Sequence, residues 1–133
     1  ITKYKRADVF TLDQQELKLA FPESALDEKI SLKKLTKHIN GNGWLTRGSQ
    51  GAYGINNSEI SECPAFTLSV KDTVGAGDAF FSVAGIFAAA GAPIEVGTFV
   101  GNIGGALGVN IVGNKEAVEK VNVLKFANTL INV

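Results

Sequence analysis

Residues 71–81 read KDTVGAGDAFF, a two-glycine turn that ends in a carboxylate, Asp78, and runs into sixteen residues, 79–94, without a charge. Gly75 and Gly77 flank Ala76, so the backbone of this turn can present its amide N–H groups to a bound anion with no bulky side chain in the way. A helix that starts here adds its unsatisfied first-turn amides and the positive end of its dipole, worth ~0.3–1 kcal/mol toward each neighbouring negative charge. Asp78 stands at that same positive end, which favours its ionised form, and an ionised carboxylate can take a proton from a hydroxyl placed beside it. Capping the helix is the plainer role for such an aspartate. A cap needs only one turn residue, however, and leaves the second glycine unexplained.

Two other glycine signatures do not fit. A dinucleotide fingerprint needs glycine at position 80, which is Phe80, and a P-loop needs Gly-Lys-Ser/Thr, which the chain lacks. The surroundings set further bounds. The 133 residues suit a single domain, 1–133, or part of a larger protein. Thirteen basic and thirteen acidic side chains cancel, so no global field gathers nucleic acid or anionic lipid, and any phosphate must be held locally. One cysteine, Cys63, rules out an internal disulfide, reads as a buried or half-buried thiol, and suits a reducing cytoplasm. The opening residues ITKYKRADVF carry positive charge with no long apolar run behind them, unlike a secretory signal. Val96–Asn114 is uncharged over nineteen residues, but six glycines and three asparagines make it a buried helix of a globular protein rather than a membrane span.

Periodicity predicts a buried strand at 7–12, a helix at 13–21, a break at Pro22, and an amphipathic helix at 24–39 ended by NGNG. A strand, glycine turn and second strand follow over 44–57, then an extended segment at 60–70 whose proline suits a sheet edge. Helices are expected at 76–91, 94–112 and 122–132, with a turn at 114–120 between the last two. Strand-to-helix alternation early and helices late argue an α/β domain, a Rossmann-like layered sheet with flanking helices. Gly97, Gly101, Gly104 and Gly108 fall on one helix stripe, which serves either close helix packing or ligand contact.

DTVGAGDAF (72–80) resembles the C-terminal signature of the ribokinase-like, or PfkB-type, carbohydrate kinase family, D-T-x-G-A-G-D-x-F, with every fixed position matched. The resemblance implies the C-terminal part of a ribokinase-like fold. In it Gly75, Ala76 and Gly77 form the anion hole for the transferring phosphate, Asp78 is the base on the substrate hydroxyl, and Asp72 lies near a monovalent-cation (K⁺) site. Three other segments resemble the family in its order. LDQQE (12–16) sits at the N-x-x-E pattern tied to Mg²⁺ and its waters, with Glu16 matching and Asp13 in place of the asparagine; a helix first turn is the structural alternative for both. LTRGSQGAYGI (45–55) resembles the nucleotide-side T-x-G-x-x-G turn through Thr46, Gly48 and Gly51. GNIGGALGV (101–109) resembles the late helix near the adenine and implicates Asn102.

The resemblance covers essentially all 133 residues but matches only the C-terminal half of the family's pattern. It therefore implies an ATP-dependent, Mg²⁺-assisted transfer of the γ-phosphate to a sugar-like hydroxyl in a longer parent, with this chain alone inactive. Fructose-type sugars, ribose, nucleosides and sugar phosphates including heptoses all remain as acceptors. A sheet with so few strands leaves an edge uncovered, so homo-oligomers are expected. A non-catalytic nucleotide-binding or interaction module that retains the fold is the rival from another class.

Overall fold

The computed structural model describes residues 1–24, 27–66, 74–109 and 117–132. Its strands are β1 (Val9–Asp13), β2 (Asn42–Thr46), β3 (Ala52–Asn56) and β4 (Glu59–Cys63), and its helices are α1 (Gln14–Ala20), α2 (Glu28–Ile39), α3 (Ala76–Ala89), α4 (Ile94–Gly108) and α5 (Lys120–Ile131). The sheet runs in the order β1-β2-β3-β4. β1 and β2 are parallel because α1 and α2 cross between them, whereas the short connections after β2 and β3 force antiparallel pairing.

Local chemistry explains where the helices begin. Asp13 caps α1 and Asp27 caps α2, its carboxylate accepting from the N–H groups of Lys29 and Ile30. That cap moves the start of α2 from the expected position 24 to Glu28, and Pro22–Ser24 form a separate 3-10 turn. The NGNG stretch also divides differently. Asn40 alone ends α2 in the left-handed conformation (φ 45°), and Asn42 already belongs to β2. The extended segment expected at 60–70 is strand only through Cys63, at the sheet edge; residues 67–70 lie outside the described part. The late helices end earlier than expected, α3 at Ala89 and α4 at Gly108, while 110–116 again lie outside.

Alternation along the strands splits the core into two faces. Phe10, Leu12, Leu45, Tyr53 and Ile55 point to one side and pack on Leu32, Leu35 and Ile39 of α2 and Leu17 of α1. Trp44 and Ala52 point to the other, onto Phe80 and Ala84 of α3 and Ile94 of α4. The result is helix, sheet and helix in three layers, the α/β architecture the alternation predicts. Among the described residues no helix is long and apolar enough to cross a membrane.

The glycine stripe of α4 serves packing. A Cβ on Gly97 would sit 2.4 Å from the buried Trp44 ring, one on Gly101 2.7 Å from Phe80, and one on Gly104 or Gly108 2.8 Å from Ala79. Trp44 is held there as well by its indole N–H, which donates to the Ile94 carbonyl at 3.2 Å. Gly101→Ala is therefore expected to destabilise by about 1–3 kcal/mol through overpacking. Gly105, whose nearest neighbour to an added Cβ is 3.5 Å away, should gain up to about 1 kcal/mol as alanine in a helix interior. Urea denaturation of the two variants distinguishes them, and equal shifts would remove the case for close packing.

α3 is the exception to efficient burial. It carries no charge after Asp78, yet only Phe80 and Ala84 are buried along it, while Phe81 and Ile86 are 37% and 69% exposed. A helix apolar on every side is normally covered on every side.

Candidate active site

A cavity of about 500 Å³ opens where β1 and β2 end, at Asp13 and Thr46. The carboxyl ends of parallel strands are the usual binding crevice of open α/β sheets. Asp13, Gln14 and Gln15 line one side, and the turn after β2 lines the next through Thr46, Gly48, Ser49 and Gly51. The start of α3 contributes Ala76, Gly77 and Phe80, and the end of α4 contributes Asn102, Gly105, Ala106 and Val109. Ala65 and Phe66 complete the lining; Phe66 is held edge-on against Phe99 and Phe126, 5.6 and 6.3 Å between ring centres.

The turn after β2 is built by its glycines. Gly48 has φ +56° and Gly51 φ +88°, both in the region that favours glycine. A Cβ on Gly51 would also lie 2.1 Å from the Cys63 carbonyl oxygen and 2.7 Å from the Ala65 nitrogen. The Arg47 N–H donates to the Gly51 carbonyl at 2.8 Å and closes the turn, while the Thr46 hydroxyl donates to Leu12 at 3.4 Å.

The acidic candidates divide. Asp13 and Glu16 form a reciprocal capping box: the Glu16 N–H donates to Asp13 Oδ1 at 2.8 Å and the Asp13 N–H to Glu16 Oε2 at 2.9 Å. Asp13 lines the cavity and Glu16 does not. No group of three His, Cys, Asp or Glu residues able to hold a metal occurs among the described residues. A divalent ion here would be held chiefly by a ligand's own oxygens, with Asp13 suited to the outer shell. Asp72, linked to a monovalent cation by resemblance, lies outside the described residues. Asp78 occupies the first turn of α3 and is exposed to solvent.

Gly75 starts α3 in the left-handed conformation (φ 83°) and, among the described residues, no side chain caps the helix, so the first-turn N–H groups can be offered to solvent or a ligand. A Cβ on Gly77 would meet nothing within 4 Å, which leaves open space above those amides. Cavity volume, open glycine backbone and unsatisfied donors together fit a nucleotide phosphate chain.

Asn102 reaches across to the strand side. It is 8% exposed, and its side-chain N–H₂ donates to the Cys63 and Pro64 carbonyls at 3.0 and 3.3 Å, pinning the chain that leads into Ala65 and Phe66. Cys63 is half-buried, and burial pushes its thiol above the ordinary range, partly offset by the Asn102 amide. Gln14, Ser49, Ala65, Phe66 and the α4 residues after Asn102 escaped the sequence reading. Phe80 was inside the quoted motif but was assigned no role; only its place as the fixed last residue of that motif marked it.

This geometry coincides with comparisons to known proteins. The model of the pfkB family of carbohydrate kinases matches residues 3–120. The chain belongs to the pfkB family of carbohydrate kinases. Among curated proteins it is 30% identical over 118 residues to the bifunctional protein HldE of Acidiphilium cryptum, and 28% identical over 116 residues to that of Syntrophotalea carbinolica. These alignments span 86% and 84% of the chain but 24% of each relative, so the chain spans about a quarter of the curated relatives it matches. Its fold is similar to a ribokinase of Thermotoga maritima (TM-score 0.80, 22% identity, 91% of this chain and 42% of that one). It is also similar to phosphofructokinase-2 of Escherichia coli in complex with potassium (0.83, 17%, 95% and 42%). A putative ribokinase II from E. coli in complex with ATP and Mg²⁺ gives 0.80 at 20% identity over 96% and 40%.

Proposed function

We propose that residues 1–133 are the nucleotide side of an ATP-dependent carbohydrate kinase, a single domain of a longer parent that transfers the γ-phosphate to a sugar-like hydroxyl. The observation that carries this is the uncapped α3 N-terminus over open glycine backbone, set beside a cavity of nucleotide size. Bound Mg·ATP supplies the phosphoryl group and neutralises part of its charge. Thr46, Gly48, Gly51 and Asn102 bound the space for the nucleotide, and the amides of Gly75, Ala76 and Gly77 donate to the phosphate. Asp78 takes the proton of the acceptor hydroxyl. Asp13, with Glu16 bracing it through the capping box, orients water on the metal, and Asp72 serves a K⁺ site. The potassium and the ATP with Mg²⁺ bound to the two E. coli neighbours support these ligand classes. The working compartment is the cytoplasm, where ATP is supplied.

The acceptor site belongs to the rest of the parent. The 133-residue chain is accordingly expected to bind Mg·ATP in calorimetric titration and to show no sugar-dependent ADP release with pentoses, hexoses or nucleosides. No binding would sink the nucleotide reading, and robust turnover would sink the division of labour. The bare side of α3 and the edge of β1, which no other described strand pairs, also favour self-association of this chain. Sedimentation should find dimers or larger species, and a strict monomer at all concentrations would refute that.

A further inference from the structure

Arg47 lies between two residues that line the cavity, Thr46 and Gly48, yet its own side chain takes no part in the lining. The guanidinium is folded onto the opposite face of the sheet, where it stacks 4.0 Å over the Tyr53 ring and its side chain is only 12% exposed. There its Nε donates to Glu28 Oε2 at 3.0 Å and its Nη1 to Glu62 Oε1 at 3.1 Å. The other oxygen of Glu28 accepts from the Gln14 side-chain amide, and Gln14 lines the cavity directly after Asp13. One carboxylate at the start of α2 therefore ties together the two lining segments that come from β1 and β2. Glu62 anchors the same guanidinium to β4, next to the Cys63 carbonyl against which Gly51 is packed.

We infer that Arg47 is a positioning residue for nucleotide binding: through Glu28 and Gln14 it holds the 46–51 turn and the start of α1 at a fixed separation. This rests on the nucleotide reading of the cavity. The planar fork of arginine engages two carboxylates and a ring face at once, which the single point charge of lysine does not reproduce. The turn is closed on itself by three main-chain hydrogen bonds, Arg47 N–H to Gly51, Gln50 N–H to Arg47 and Gly51 N–H to Gly48, and meets α1 through a long bond from the Gln14 amide to Gln50 at 3.4 Å, so loss of the anchor loosens its seat against α1 and β4.

The test uses Arg47→Leu, Arg47→Lys, Glu28→Ala and the Arg47→Leu/Glu28→Ala pair in the 133-residue chain, titrated with Mg·ATP. Neither residue lines the cavity, so a change in affinity acts through the segments they tie together, the 46–51 turn and the start of α1. Each single variant, Arg47→Lys included, should weaken Mg·ATP binding about tenfold, as small misplacements of binding groups do. The double variant should be little worse than either single change, since both break the same link. Amide exchange at residues 48–51 should accelerate in the same proteins without nucleotide, while the melting cooperativity stays intact. Unchanged affinity in a folded Arg47→Leu or Glu28→Ala chain, or full additivity, overturns the inference and leaves the nucleotide reading standing. Failure of the unsubstituted chain to bind Mg·ATP overturns both.

Discussion

Asp78→Asn in the intact kinase is expected to lower turnover by about 10²–10⁴-fold, the usual contribution of a positioned general base, with ATP affinity changed by no more than a few-fold. Asparagine keeps the size and one acceptor oxygen of the side chain but cannot take a proton. Its position fits the split: Asp78 is exposed in the first turn of α3, whereas the cavity lining at that helix comes from Ala76, Gly77 and Phe80. The helix loses a favourable charge at its positive end, worth ~0.3–1 kcal/mol, so the protein should stay folded. Turnover measured beside equilibrium ATP binding separates the two classes of protein. A non-catalytic nucleotide module would pass through this substitution with no kinetic consequence, and an undiminished rate would remove Asp78 from the chemistry.

Gly51→Ala should be among the most damaging glycine substitutions at the described positions, costing about 4 kcal/mol, the sum of ~1–3 for backbone strain and ~1–3 for overpacking. Its φ of +88° and ψ of −137° belong to a region that side chains rarely adopt, and the added carbon would meet the Cys63 carbonyl oxygen at 2.1 Å. Neither partner is the end of a flexible side chain, so relief requires β4 to move. Gly48→Ala is the control. It shares a positive φ, +56°, but an added Cβ meets nothing within 4 Å, so only the left-handed penalty of ~1–2 kcal/mol applies. Denaturant melts of the pair should differ by at least twofold in ΔΔG. Comparable losses would mean that Gly51 is needed for its conformation alone.

Much of the layout was legible because it is local. The period-2 strands and the apolar stripe of α2 each write their structure within a few residues. The reading of Asp13 and Glu16 as a helix first turn was equally local, and the reciprocal hydrogen bonds at 2.8 and 2.9 Å give it a full physical basis. Boundaries slipped where two signals overlapped. Position 24 looked helical, but the cap at Asp27 starts the helix, and the NGNG run contains both a helix end and a strand start.

The site was legible in part. Thr46, Gly48, Gly51, Ala76, Gly77, Asn102 and Asp13 do converge on one cavity, although they come from four separate segments of the chain. Glu16, Gly75 and Asp78 stand beside that cavity in sequence but outside its lining. The sequence by itself determined the glycine turn, the charge-free helix it opens, and the membership in the family that these carry. Only the tertiary structure decided that the glycines of α4 make room for Trp44 and Phe80, that Asn102 grips the carbonyls of Cys63 and Pro64, and that Arg47 is clamped behind the 46–51 turn. Those contacts join residues far apart along the chain. They depend on strand order and on how closely a helix can approach the sheet, and neither is encoded in any local period or motif.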